Sequence, residues 1–353
     1  MGSPGHAPGK HSRKQRVNNV MPLSGPLVDA FGRVHTNLRI SVTDRCNIRC
    51  FYCMPEENVL FSPRNEILTF EEIARFVRVA ADMGVNKLRI TGGEPLVRAQ
   101  LPELIKQLKS VNGIDDVALT TNAILLADHA QSLRDAGLDR LNISIDTLSP
   151  EVFHRITRRD GLQRVLDGIE AARCAGFTRT RLNAVAIRGV TESEIEPLGR
   201  FARRSNLELR FIEFMPLDAD GQWQSEHVLP GEEIRRRLEH CFGALRPAPR
   251  PDPSQPAVDY AYADGGGAVG FINPVSEPFC SACNRLRITA EGQVRNCLFS
   301  TAEWDARSLL RGGGSDEQLA RLTLKCVAAK KPAHGIDQPD FVRPERAMYQ
   351  IGG

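Results

Sequence analysis

The chain has 353 residues, 41% hydrophobic and 25% charged, a balance that supports an ordinary folded core and excludes a disordered or fibrous chain. Its 46 basic and 43 acidic residues leave a formal charge of only +3, so the overall charge indicates neither a nucleic-acid nor a membrane partner. No apolar run approaches the roughly 20 residues of a membrane span, and nine cysteines are too few, and odd in number, for a disulfide framework; a reducing, cytoplasmic setting is expected.

Residues 1–30 read as a disordered tail: the first 26 are rich in Gly, Pro, Ser and basic residues and contain no acid. A transit peptide shares the lack of acids, but the Pro and Gly content argues against the amphipathic helix it needs. Over 31–245, short β-rich runs alternate with stretches of helical periodicity. The strand candidates are 38–42, 87–91, 117–121, 140–145, 181–187 and 207–214, and the helical ones lie near 70–84, 98–110, 126–137, 162–176 and 192–204. Thr69 sits where the first helix needs an N-cap. This alternation predicts an α/β fold, and six strands predict an incomplete (β/α)6 TIM-type barrel with its site at the carboxyl ends of the strands. Residues 246–256 hold five prolines in eleven positions and read as a linker. A smaller C-terminal region, 257–353, opens with two alternating runs around a Gly cluster, a hairpin signal. Gly265, Gly267 and Gly270 formally fit G-x-G-x-x-G, but no helix follows within a βαβ unit, so a turn is expected there.

Six cysteines fall into two triads. Cys46, Cys50 and Cys53 form C-x3-C-x2-C directly after the first strand, and Cys280, Cys283 and Cys297 form C-x2-C-x13-C in the C-terminal region. Thiolates on short loops suit iron-sulfur clusters or zinc, and three ligands leave one position of a cluster open. Structural zinc prefers four ligands, and no histidine lies in either loop to supply the fourth; zinc stays as the lesser alternative. Arg285 and Arg287 alternate beside the second triad and share one face of a strand.

The loop CNIRCFYC, followed by TGGEP at 91–95, resembles the signature of the radical S-adenosylmethionine superfamily. With KLRITGGEPL, RFIEFMP at 210–216, FCSACNRLRIT and the terminal Gly352-Gly353, the chain from about residue 30 onward resembles the family of GTP 3',8-cyclases in molybdenum cofactor synthesis. The resemblance implies two 4Fe-4S clusters, one on each triad, with S-adenosylmethionine as cofactor and GTP as substrate. It implies a lyase that cyclises GTP to 3',8-cyclo-7,8-dihydro-GTP through a 5'-deoxyadenosyl radical. Carried over by position, the S-adenosylmethionine contacts fall on Tyr52, Gly93, Ser144 and Met215. The GTP contacts fall on Arg39, Arg89, Thr120, Arg181, Arg285, Leu286 and Arg287, with Lys87 and Arg210 as further candidates, and Gly352 and Gly353 form a catalytic tail. A flavodoxin-like electron donor and the next enzyme of the molybdopterin pathway are implied partners, and a homodimer stays open. Two departures from the family pattern are Ala123, where glycine is usual, and Arg181, where lysine is usual. Cys174, Cys241 and Cys326 read as ordinary thiols.

Overall fold

The computed structural model describes residues 1–2 and 25–352, so most of the expected tail and Gly353 lie outside the described residues. All six predicted strands form: β1 (Asn37–Ser41), β2 (Lys87–Thr91), β3 (Asp116–Thr121), β4 (Arg140–Ser144), β5 (Thr180–Ala186) and β6 (Glu208–Glu213). They pair in parallel in sequence order. Helices follow each of β1–β5: α1 (Phe70–Asp82), α2 (Leu101–Lys109), α3 (Leu126–Asp135), α4 (Pro150–Thr157), α5 (Leu162–Cys174) and α6 (Ile195–Arg204). After β6 comes α7 (Gly231–Phe242). Thr69 caps α1 as expected, accepting the Glu72 N–H at 3.2 Å while its own N–H donates to Glu72 Oε2 at 2.7 Å. The short helix α4 escaped the sequence reading; its signal is Ser149 followed by Pro150, a capping residue with proline at the first helical position.

Period-two alternation decides which residues face the site. On β1 and β2, Leu38, Ile40, Leu88 and Ile90 are fully buried in the core shared with the helices, which leaves Arg39 and Arg89 to face the other way. Parallel register then aligns like with like, because Arg39 stands opposite both Arg89 and the C-terminal Arg287.

The sheet is larger than expected. The C-terminal residues add β9 (Ala268–Ile272), parallel to β6, and β10 (Arg285–Ile288), parallel to β1, at opposite ends of the six. Eight parallel strands therefore run in the order β10-β1-β2-β3-β4-β5-β6-β9. Antiparallel β11 (Gln293–Arg295) and β12 (Trp304–Asp305) extend one end, and β8 (Val258–Tyr262) and β7 (Leu245–Pro247) the other. Two strands were missed as barrel members because neither is reached through a helix, so the βαβ rhythm stops at β6. The expected hairpin is β8–β9, turning through Gly265 and Gly267 at φ of 79° and 104°, which glycine adopts without strain.

Two boundaries shift for packing reasons. Residues 25–30, expected within the tail, are ordered against the barrel: Leu27 is fully buried and donates its N–H to Met83 O at 3.1 Å. The proline-rich stretch begins inside β7 and folds back over the sheet, where Asp252 takes an ion pair from Lys87 at 2.9 Å. Beyond β12 lie α8 (Ala306–Arg311), α9 (Asp316–Ala328) and a last turn, α10 (Met348–Ile351). Among the described residues no helix is long and apolar enough to cross a membrane.

Because β10 shares a sheet and a core with β1, the C-terminal region should not unfold by itself. Leu286→Ala, which empties a buried position opposite Leu38, is expected to cost about 2–5 kcal/mol. Urea denaturation followed by far-ultraviolet circular dichroism should show one transition at a lower midpoint; a separate early transition with the main one unmoved would contradict the single sheet.

Candidate active site

One cavity of about 260 Å³ is lined from all eight parallel strands, so the sheet curls around it. At one side stand Cys46, Cys50 and Cys53. Their loop leaves β1 and is pinned from several directions: the Arg49 and Phe51 N–H groups donate to Thr157 O and Ile156 O at the end of α4, at 2.8 and 3.1 Å. Asn122 at the end of β3 donates from Nδ2 to Asn47 Oδ1 at 2.7 Å. Gly93 explains the third support. A Cβ there would stand 2.4 Å from Arg45 O and 2.9 Å from Asp44 O, so only glycine lets the strand-end loop lie on the cysteine loop. Its N–H is spent on Thr43 O at 2.7 Å.

All three thiols are free. Burial, with Glu94 beside it, pushes the Cys46 thiol up to about 12, and burial, Asp146 and the other two thiols push Cys50 well up. Burial and Cys46 raise Cys53. Crowded buried thiols of this kind lose their protons to a soft cation, and the donor set fits a 4Fe-4S cluster. Among the described residues, no group of His, Cys, Asp or Glu side chains is drawn together as the ligands of a single metal ion are.

The cations occupy the rest of the cavity. Arg39, Arg89, Arg285 and Arg287 all line it. Burial lowers the Arg89 pKa well below its ordinary value, and Arg39, Arg140, Arg210 and Arg181 add to the shift. Arg39 is lowered by burial and by Arg287 and Arg285, and its Nε has no hydrogen-bond partner. Burial, then Arg285, brings Arg287 down to about 9. The other expected cations are already neutralised. Arg181 donates from Nε to Glu208 at 2.7 Å and is absent from the cavity wall; Arg210 reaches the wall but is held by Glu208 and by Asp259 at 3.1 Å. Leu286 is buried in the core on the opposite face from its neighbours, so only its backbone is available to a ligand. Thr120 lines the cavity with its Oγ1 buried and unpartnered.

Tyr52, Gly93, Ser144 and Met215 also line the cavity. The Tyr52 hydroxyl donates to Asp146 Oδ2 at 2.6 Å. The second triad lies behind Arg285 and Arg287. Burial opposes ionisation of Cys283, but Arg285 and Lys330 outweigh it and bring the thiol down to about 6; burial raises Cys280. The C-terminal tail enters the same space: Arg287 Nη1 donates to Gly352 O at 2.6 Å. Gly352 has φ 81°, and a Cβ on it would meet Ser41 at 2.9 Å and Thr91 at 3.0 Å.

This arrangement has counterparts among known proteins. Residues 40–202 match the Radical SAM superfamily, and residues 207–336 match Molybdenum Cofactor Synthesis C. A GTP 3',8-cyclase of Rhodopirellula baltica is 52% identical over 93% of this chain and 92% of its own length. The chain belongs to the GTP 3',8-cyclase family. Another cyclase, from Mycobacterium marinum, is 44% identical over 94% of this chain and 93% of its own. Among solved structures, SuiB of Streptococcus suis with bound S-adenosylmethionine has a TM-score of 0.59 at 16% identity, covering 82% of this chain and 68% of that one. Native anSMEcpe with bound AdoMet gives 0.57 at 15%, covering 82% and 79%. At such identities the likeness concerns the fold. Membership in the family carries with it one 4Fe-4S cluster and S-adenosylmethionine.

Three buried groups of this cyclase were not singled out from sequence. Glu94 lies within the TGGEP run, accepting from Thr121 Oγ1 and the Asn122 N–H at 2.7 Å each; Asp146 accepts from Tyr52 and from the Val185 N–H at 2.8 Å. Lys330 had no motif to mark it. At Ala123 the backbone is left-handed, φ 62°, which accounts for the glycine usual in the family pattern.

Two predictions follow from this geometry. Gly93→Ala must displace the cysteine loop, at an overpacking cost of about 1–3 kcal/mol, and is expected to lower iron incorporation after anaerobic reconstitution. Unchanged iron content and thermal midpoint would contradict the close approach. Burial raises Glu94 from 4.5 to about 7, against its hydrogen bonds. A carboxyl held above its unfolded value stabilises the fold fully below about 4.5 and loses that contribution as pH rises through about 7. Relative to Glu94→Gln, which has no carboxyl to titrate there, the parent's urea midpoint should therefore fall as pH rises across this window.

Proposed function

We infer that this chain converts GTP to 3',8-cyclo-7,8-dihydro-GTP, the first step of molybdenum cofactor synthesis. The observation that carries the reading is the set of arginines, Arg39, Arg89, Arg285 and Arg287, that share the cavity with the first thiol triad, where no carboxylate among the described residues pairs with Arg39 or Arg89. Buried guanidinium groups are costly without an anionic partner, and a triphosphate supplies one through bidentate hydrogen bonds.

Cys46, Cys50 and Cys53 would hold a 4Fe-4S cluster, which with S-adenosylmethionine supplies a hydrogen-abstracting radical. Tyr52, Gly93, Ser144 and Met215 border the space next to that triad and would orient the S-adenosylmethionine. Asp146 fixes the Tyr52 hydroxyl, and Asn122 and Gly93 fix the cysteine loop. Arg39, Arg89, Arg285, Arg287 and Thr120 would hold GTP, with the Leu286 backbone beside them. Arg181 and Arg210, tied to Glu208, stand ready to join only by exchanging that carboxylate for phosphate. Cys280, Cys283 and Cys297 would hold a second cluster on the far side of GTP. Gly352 already accepts from Arg287, so the tail is set to orient a substrate-binding arginine, and Gly353, outside the described residues, would act with it. Orientation matters because a radical placed beside the wrong hydrogen reacts there instead. An external flavodoxin-like donor, transfer of product to the next enzyme of the pathway and a cytoplasmic setting belong to the same proposal.

Anaerobic reconstitution followed by S-adenosylmethionine, a reductant and GTP should give GTP-dependent 5'-deoxyadenosine and the cyclised nucleotide; absence of GTP dependence would overturn the reading. Cys46→Ala should abolish cleavage of S-adenosylmethionine. Arg89→Ala should weaken GTP binding roughly 10–100-fold, the worth of one hydrogen-bonded charge contact, while sparing cleavage without GTP. Removal of Gly352 and Gly353 should stop cyclisation with iron content unchanged.

A further inference from the structure

Lys330 is buried behind the second triad, just past the end of α9, with 5% of its surface exposed. Its ammonium group has three N–H donors, and each has its own acceptor. Nζ donates to Cys283 Sγ at 3.4 Å, to Arg285 O at 3.0 Å and to Asn296 O at 2.7 Å. Among the described residues no carboxylate forms an ion pair with it. The anionic partner within hydrogen-bond reach of this buried cation is therefore a cysteine sulfur, and a lone buried ammonium is otherwise costly. The two carbonyls belong to the residue that opens β10 and to the residue that precedes Cys297. One side chain thus grips Cys283 and the backbone next to Cys297. Arg33 completes the grip on the third ligand, donating from Nη1 to Cys280 O at 2.7 Å.

We infer that Lys330 is a positioning residue that sets the reduction potential of the cluster on Cys280, Cys283 and Cys297, by hydrogen-bonding a ligand sulfur and placing a positive charge against it. The inference rests on the reading that the second triad holds a 4Fe-4S cluster. Reduction of such a cluster by one electron adds negative charge. A fixed cation stabilises the reduced form more than the oxidised one, and an N–H bond to a ligand sulfur draws charge in the same direction; both raise the potential. Among the described residues no lysine or arginine side chain donates to a sulfur of the first triad; the nearby Arg49 donates to the Cys46 carbonyl instead. There the side-chain contacts to a ligand sulfur are neutral, the Asn122 amide 3.8 Å and Asn47 Oδ1 3.9 Å from Cys46 Sγ with the Tyr52 hydroxyl beside Cys50, so the second centre has a cationic donor that the first lacks.

The test compares the reconstituted full chain with Lys330→Met and Lys330→Gln, by iron and sulfide content and by redox titration read by electron paramagnetic resonance. Both variants are expected to keep the parent's iron and sulfide. The second cluster should become at least tenfold harder to reduce, a downward shift of 59 mV or more for one electron, with the first cluster unmoved. Lys330→Arg, which keeps charge and donors, should restore most of the shift. Equal potentials at full cluster content would overturn the inference, as would loss of the second cluster from both variants, which would make Lys330 a scaffold alone. A parent that binds only one cluster, with Cys283→Ala binding the same iron, would instead overturn the two-cluster reading beneath it.

Discussion

Uncompensated positive charge in a buried place is the constraint on which this molecule turns. Arg39, Arg89 and Arg287 align across three adjacent strands because parallel register puts equal positions side by side, and the alternation of a strand sends all three to one face. The opposite face of the same strands is Leu38, Ile40, Leu88, Ile90, Leu286 and Ile288, fully or almost fully buried among the barrel helices. The apolar face stabilises the fold, and that stability holds the arginines together against their mutual repulsion. Burial first, and that repulsion second, lower their pKa values; a polyanion offsets both.

The same logic divides the cations into two sets. Arg140, Arg181 and Arg210 are matched inside the sheet by Asp116, Glu208 and Asp259, so they are structural in the resting protein. The unmatched ones line the cavity, where ligand is expected. A Glu208 carboxylate bridging Arg181 and Arg210 limits how far the positive field spreads, and it keeps that side of the sheet stable before substrate arrives.

Glycine serves the site by absence. Gly93 lets two loops touch backbone to backbone, and Gly352 lets the tail pass between Ser41 and Thr91 to reach Arg287. Neither position could carry a methyl group without moving a neighbour that itself touches the site. The cysteine loop, the TGGEP loop, the ends of β3 and β4 and the tail are therefore one mechanical unit, joined through Asn122, Glu94 and Asp146.

Much of this was legible in the chain alone. The two cysteine triads are local in sequence, so spacing reveals them. The six strands and the cap at Thr69 follow from periodicity and propensity, which are local too. The partner of each charge was not legible: Arg89 and Arg181 stand on similar β-rich runs, yet among the described residues Arg89 has no carboxylate partner while Arg181 is neutralised, because Glu208 lies on the neighbouring strand. Nor could periodicity show that β9 and β10 complete the parallel sheet, since no helix leads into either. Lys330, in a run of two lysines, reads as solvated charge; only folding sets its ammonium against Cys283, 47 residues earlier in the chain. Sequence by itself determined which chemistry the chain can hold. Tertiary structure decided which charges are free to use it, because pairing and burial depend on neighbours in space.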